Sequence, residues 1–319
     1  MNKLKIVFFG SPYYSIPLLD KIINSGHEVP LVISQGTKKT RRGKIIKTDI
    51  HKHCDKHELK CITPNKLDDT VFHEINDLNA DLGIIYAYGK LIPQKIIVST
   101  KLGIMNLHCS LLPAYRGAAP IQHALMNNED YTGITYFEIN NKLDDGKILC
   151  NEKYRIKELD NCQSIQDNLT QIAVDNCLKA IEKMSSKNYA SLDKKNSPSY
   201  ARKLDKKDAY FTWDMNARLI FNKIRALHMW PVATTILFGE SIKILDAKYQ
   251  QIDHKYKHGT VITFNKKEGD NKTPRGNFKI GNLYYRKDKL LKPKTKLKCT
   301  TIDKTMGWCN DINEKKYYN

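Results

Sequence analysis

From Lys5 to Phe9 the chain reads KIVFF, a short apolar run rich in β-branched and aromatic residues that stops at Gly10-Ser11-Pro12. A run of that length, bounded by turn residues, predicts a buried strand. Apolar residues then recur at Leu18, Leu19, Ile22 and Ile23, the spacing of one helix face. Ser15 stands at the N-cap, Pro17 in the first turn, and Gly26 at the stop. VPLVIS, residues 29–34, predicts the next strand. Strand, helix and strand within about 30 residues form a βαβ unit, which requires a parallel sheet with a right-handed crossover. Further strands are expected at 81–88, 103–108 and 132–139, with a helix near 118–128. Ile165, Leu169, Ile172, Ala173, Cys177 and Ile181 mark a long helix over 164–184.

The periodicity fails in SSKNYASLDKKNSPSY, residues 185–200, where Ser, Asn, Lys and Pro gather. A linker at 189–203 therefore separates an expected domain at 1–188 from another at 204–319. The first is expected to be α/β, a Rossmann-like, doubly wound and mostly parallel sheet. The second opens with a helical stretch at 214–228 and continues as TTILFG, SIKILDA, HGTVITF, GNFKIG and NLYYR. Short strands separated by turn signals predict a small β-barrel, OB-like in type.

Charge divides the chain in the same way. The net formal charge is +19. Residues 1–200 hold 27 basic against 22 acidic side chains, and residues 201–319 hold 26 against 12. Codon bias toward lysine accounts for some of this excess but not for its place. The last third is expected to meet a polyanion, nucleic acid first and a membrane surface second. Within it, RKDKLLKPKTKLK (286–298) sets Lys292, Lys294 and Lys296 along one side of an extended segment, a row suited to a phosphate backbone. A second basic run, SQGTKKTRRGK, covers 34–44. Eight cysteines form no C-x-x-C pair and read as reduced, mostly buried thiols. No apolar run is long enough for a membrane span, and the opening MNKLKIVFFGSP is too short for a signal peptide. A cytoplasmic protein is expected.

The candidate chemistry lies in NLHCSLLPAYRGAAP, 106–120. Asn106 and His108, two apart on a strand, share a face. They sit at the carboxyl end, where open α/β sheets keep their ligand crevice. A lone histidine there is usually no more than a hydrogen-bonded one, but Asn106 adds a neutral donor and acceptor beside it. The strand at 132–139 runs into NNKLDDGKIL, expected to bring Asp144 to the same edge in a glycine-closed loop. Asn, His and Asp together could hold an oxyanion and move a proton. GSPYYS is not a G-x-G-x-x-G fingerprint, and no His, Cys or Asp spacing calls for a metal.

NLHCSLLPAYRGAAPIQHAL with TGITYFEINNKLDDGKIL resembles the folate-dependent formyltransferases, which share Asn-x-His-x-Ser-x-Leu-Pro and an Asp-x-Gly loop. FFGSPYYSIPLL, AYGKLIP, SYARKLDKKDAYFTWD and IRALHMWP resemble the branch whose acceptor is charged initiator tRNA. The likeness covers about residues 3–235 well and the rest loosely, and RGAAPIQ is its most specific part. It implies 10-formyltetrahydrofolate as formyl donor and co-substrate, the amino group of methionine on initiator tRNA as acceptor, and a role in translation initiation. It implies that Asn106 and a protonated His108 stabilise the tetrahedral oxyanion while Asp144 helps shuttle the proton. It implies that the backbone of Ser110, Leu111, Leu112 and Pro113 lies along the folate. Ala87, Tyr88 and Gly89, within 87–93, would wall the pterin, and Arg42 with Lys44 would lie on the acceptor stem. A monomer is expected, with no metal.

Three departures stand out. GTKKT replaces a proline-containing segment in the 34–44 loop, Cys109 replaces a smaller residue, and Asp145 replaces the more usual Thr, adding charge near His108. Two other readings remain. One is an N-formyltransferase acting on a small amine such as a nucleotide-linked amino sugar, which would have no use for the basic last third. The other is a nucleic-acid-binding protein with a dead catalytic domain, disfavoured because all three catalytic residue types are in place.

Overall fold

The computed structural model describes residues 3–36, 38–39, 45–190, 197–237, 239–248, 283–285 and 299–301. Seven strands form one sheet: β1 (Lys5–Gly10), β2 (Glu28–Ile33), β3 (Cys61–Ile62), β4 (Leu82–Tyr86), β5 (Ile104–His108), β6 (Tyr131–Glu138) and β7 (Lys147–Arg155). Their spatial order is β7-β6-β5-β4-β1-β2-β3. The five strands from β5 to β3 are parallel, and β6 and β7 run antiparallel at one edge. A Rossmann-like, mostly parallel sheet is therefore observed.

Each parallel strand alternates its side chains between two cores, as the pleat requires. Ile6 and Phe8 of β1 join Leu82 and Ile84 of β4 and Met105 and Leu107 of β5 under α1 (Ile16–Asn24) and α6 (Cys162–Ser185). Val7 and Phe9 join Ile85 and Ile104 on the other face, with Val71 and Ile75 of α3 (Asp69–Asp77) and Ile96 of α4 (Gln94–Ile97). Asn106 and His108 share this second face with Ile104. Over β5–β7 it is covered by loops: Leu112 packs there on Phe137 and Ile148.

Several elements differ from the reading by periodicity. Ser15 holds the N-cap position of α1, yet its hydroxyl donates to the Pro12 carbonyl at 2.6 Å and caps nothing. Helix α2 (Asp49–Lys56) buries only Ile50 and Cys54, too thin a stripe to predict. Strand β7 went unpredicted because only Ile148, Leu149 and Cys150 are buried before it becomes an edge. Cys54, Cys109, Cys150, Cys162 and Cys177 are buried free thiols.

Two compact units divide at 248/249. In the first, α7 (Ala217–Ala226) packs on α5 (Pro120–Met126) through Ala119, Leu204, Phe211, Ile224, Leu227 and Ala233. An antiparallel hairpin, Thr234–Leu237 with Glu240–Lys243, follows. In the second, Leu283–Tyr285 pairs in parallel with Cys299–Thr301. The strands expected at 258–264 and 276–281, and with them the OB-like barrel, lie outside the described residues.

The β6–β7 hairpin supports everything at its end of the sheet, and Gly133 sets its closeness. A Cβ there would stand 2.2 Å from the Glu152 carbonyl and 2.6 Å from Leu111 Cδ2. Gly133→Ala should lower unfolding free energy by about 1–3 kcal/mol, as overpacking does. Urea denaturation checks this, and an unchanged midpoint would mean the hairpin has room to open.

Candidate active site

β1, β4 and β5 end side by side, with Gly10 opposite Tyr86 and Tyr86 opposite Leu107. Their following loops converge at one carboxyl edge, the crevice of an open α/β sheet. His108, the last residue of β5, is 6% exposed. Its Nε2 lies 2.8 Å from the Tyr115 carbonyl oxygen. That oxygen can only accept, so Nε2 carries a hydrogen and the second nitrogen is the one that gains or loses a proton. Nδ1 faces the Asp144 carboxylate at 3.8 Å. Asn106 lies half-buried on the same face, and among the described residues its amide has no hydrogen-bond partner. The three residues singled out in the sequence are thus brought together.

Asp144 arrives by a route the strand pattern did not foretell. β6 is antiparallel to β5, so its carboxyl end lies at the wrong edge: Glu138 pairs with Met105, and the Ile139 amide donates to the Ile104 carbonyl. The loop 139–146 must fold back along the sheet face to reach His108. Asp144 takes a left-handed backbone (φ 46°), and its Oδ2 accepts from the Gly117 amide at 2.7 Å. Gly117 is itself left-handed (φ 115°), and a Cβ there would meet the Ala201 carbonyl at 2.6 Å. Arg116, which has no carboxylate near it in sequence, donates instead to Asp145 across the fold. Asp145 therefore faces Arg116, where the sequence reading placed its charge at His108.

Residues 4–181 match the formyl transferase family model, and 203–297 match the formyl transferase C-terminal domain. Methionyl-tRNA formyltransferase of a Sulfurihydrogenibium species is 35% identical over 83% of this chain and 87% of its own length. That of Thermodesulfovibrio yellowstonii is 36% identical over 75% and 79%. The chain belongs to the methionyl-tRNA formyltransferases. In fold it is also similar to a 4-N formyltransferase from Francisella tularensis (TM-score 0.61, 19% identity, 79% of this chain and all of that one).

Two backbone runs flank the family's His-Asp pair here. In the first, Ala87 and Gly89 adopt left-handed conformations (φ 54° and 75°). Tyr88 between them turns its ring into the core, edge-on to Phe9, with its hydroxyl buried and unpartnered. Burial pushes that phenol up to about 12. Tyr88 is fully buried, and its carbonyl accepts from Gln35 Nε2 at 2.5 Å, so Ala87 and Gly89 are the residues of this run that keep access to solvent. In the second run, the Ser110 hydroxyl donates to the Ala114 carbonyl, Leu112–Pro113 is cis, and Leu112 is buried. Leu111 and Pro113 are half-buried.

Thr135, fully buried on β6, pins the second run. Its hydroxyl donates to the Ser110 carbonyl at 2.7 Å and accepts from the Leu112 amide at 3.1 Å. Sequence reasoning missed Thr135 and Gln35. A threonine at the centre of the apolar TGITYFE was the available signal for the first. The Tyr115 carbonyl and Gly117 amide are backbone groups and leave no such signal.

From the far side, Ser199–Ala201 pairs with Arg116–Gly117. Tyr115 and Arg116 donate their amides to the Ser199 hydroxyl and carbonyl, at 2.9 and 2.8 Å. Arg42, Lys44, Lys292, Lys294 and Lys296 lie outside the described residues. Among the described residues no cluster of three His, Cys, Asp or Glu side chains could hold a metal ion. An open groove lined by Gln94, Ile97, Gly103, Glu138 and Asn140 lies at the amino end of β5, away from His108. Neither Asn106, His108 nor Asp144 lines it, so it is separate from the crevice described above.

Thr135→Val removes the pin at nearly constant volume and leaves a buried amide unsatisfied, at a cost of about 1–3 kcal/mol. Hydrogen exchange at the Leu112 amide should accelerate while exchange in β1 does not. Equal protection in the variant would show that the loop is held by its apolar packing alone.

Proposed function

We propose that Asn106, His108 and Asp144 carry formyl transfer from 10-formyltetrahydrofolate to the amino group of methionyl-tRNA, the step that prepares initiator tRNA for translation. The convergence of these three groups at one sheet edge, in a chain of this family, is the observation that supports the reading.

The residues present fit a folate. A flat, amide-rich heterocycle needs backbone donors and acceptors at a narrow slot. In the runs 87–89 and 110–113, Ala87, Gly89, Leu111 and Pro113 stay accessible beside the crevice, while Tyr88, Ser110 and Leu112 are buried. The folate, when bound, supplies the formyl group on nitrogen. The amine lone pair attacks the formyl carbon, a carbon–nitrogen bond forms, and the carbonyl π pair moves to oxygen. Asn106 donates a hydrogen bond to that oxyanion, and protonated His108, whose two N–H groups face the Tyr115 carbonyl and Asp144, stabilises it through its charge. Asp144 accepts the proton shed by the attacking nitrogen and passes it to the folate nitrogen, which departs as the oxyanion pair re-forms the carbonyl and the carbon–nitrogen bond to folate breaks. Gly117 keeps Asp144 at His108 throughout.

The second family domain supports the choice of acceptor. Residues 201–319 carry 26 basic against 12 acidic side chains, a surplus a small amine would not require. The two curated relatives above carry tRNA in their names, whereas the 4-N formyltransferase is similar in fold alone. We assign Lys292, Lys294 and Lys296 to phosphate contacts, and Arg42 and Lys44 to the acceptor stem near the chemistry. We further propose a catalytic domain at 1–188, a linker at 189–203 and a tRNA-binding domain at 204–319, acting as a cytoplasmic monomer. No helix among the described residues is long and apolar enough to cross a membrane.

His108→Ala and Asp144→Asn should fold normally and lose about 10²–10³ in single-turnover formyl transfer, the usual effect of deleting a preorganised group. Near wild-type turnover in either would remove that residue from the mechanism. Reversing Lys294 and Lys296 to Glu should weaken tRNA binding and reduce the slope of log affinity against log salt by about two. Arg42→Ala should instead lower transfer more than affinity. A salt slope unchanged in the lysine variant would move the docking surface elsewhere.

A further inference from the structure

Asp144 is held at His108 by an oxygen that does two things at once. Oδ2 accepts from the Gly117 amide and is also the atom facing His108 Nδ1. A small rotation of the loop would break both relations together. The loop enters from the wrong edge, and Asp144 sits in a left-handed conformation that a non-glycine residue resists. A single hydrogen bond is a weak restraint for such a segment.

The neighbouring residues supply the second restraint. Asp145 Oδ1 accepts from Arg116 Nη2, so 144 and 145 are tied to 117 and 116 side by side. The Asp145 carbonyl also accepts from Asn140 Nδ2 at 3.0 Å, closing the loop on itself. Arg116 is well placed as the fixed end. Its side chain is 14% exposed, and its backbone is β-paired to Tyr200. Its Nε is buried without a partner, leaving Asp145 as the main neutralising group. Lys142 also faces Asp145, at 3.9 Å, but is 74% exposed and screened.

We infer that Asp145, acting through Arg116, is a positioning residue that holds the catalytic carboxylate in register with His108. The inference rests on the reading of Asp144 as a catalytic group. Both members of the pair then act through one bond, and neither touches the reacting atoms.

The test is steady-state formyl transfer to methionyl-tRNA by Asp145→Asn, Arg116→Gln and the double variant, with Asp145→Glu as the conservative control. Each single change should lower kcat by about ten- to a hundredfold, the effect of a displacement near 1 Å. KM for both substrates should stay within about twofold. The double variant should be no slower than the slower single one, because the same bond is lost only once. Asp145→Glu should recover most of the rate. Arg116→Gln leaves no buried charge, so it reports even if Asp145→Asn folds poorly. Wild-type kcat in Arg116→Gln, or a double variant whose loss is the product of the two single losses, would overturn the inference. Full activity in Asp144→Asn would instead overturn the site reading beneath it.

Discussion

The direction of β6 is the constraint on which the site depends. An antiparallel strand beside β5 delivers its following loop to the amino edge, some five residues of sheet from the histidine that loop must serve. The chain therefore doubles back, and what holds it is the 2.7 Å bond from the Gly117 amide to Asp144. A charge-assisted hydrogen bond of this kind contributes about 1.5–3 kcal/mol net. A left-handed aspartate costs about 1–3 kcal/mol. The two are comparable, so the loop is poised unless something else secures it. The Arg116–Asp145 pair and the Asn140 bond lie where that support is needed.

The same geometry explains why the crevice is open on one face only. α1, α5 and α6 cover one side, and α3 and α4 cover the β1 and β4 strands on the other. Over β5–β7 no such helix intervenes among the described residues, and the loops 109–117 and 139–146 lie there with Leu112 seated on Phe137 and Ile148. Loops can be pinned at a few points and leave backbone exposed between them. Thr135 and Gln35 are two such pins, each joining strands distant in sequence. A helix there would have consumed its own amides and carbonyls and left no slot for a flat, hydrogen-bonding co-substrate.

Chemistry and affinity are separated along the chain by physical type. Of the groups proposed for the chemistry, Asn106 and His108 stand on the rigid edge of a sheet, where displacement of an ångström is costly. The cationic excess lies in the last third, where phosphate attraction is long-ranged and tolerant of position. Tyr200–Ala201 pairs with the strand that presents Arg116 and Gly117.

Much of this was legible in residue order alone. Strand and helix periods are local, so KIVFF, VPLVIS, GIMNLH and the stripe of α6 disclosed a parallel α/β sheet. Asn106 and His108 were recognisable because a two-residue spacing on a strand is itself a geometric statement. Their matching motifs pointed to formyl transfer. The rest depended on contacts between distant segments. Neither the antiparallel turn of β6 nor the pairing of Arg116 with a residue 29 positions later has a local signature. β7 and α2 were missed for a related reason, since each buries only two or three side chains and owes its form to its neighbours. Residue order singled out Asn106, His108 and Asp144 as the groups proposed for the chemistry. Only the tertiary fold decided how Asp144 reaches His108, because a hydrogen bond to a backbone amide is invisible until the chain has brought the two together.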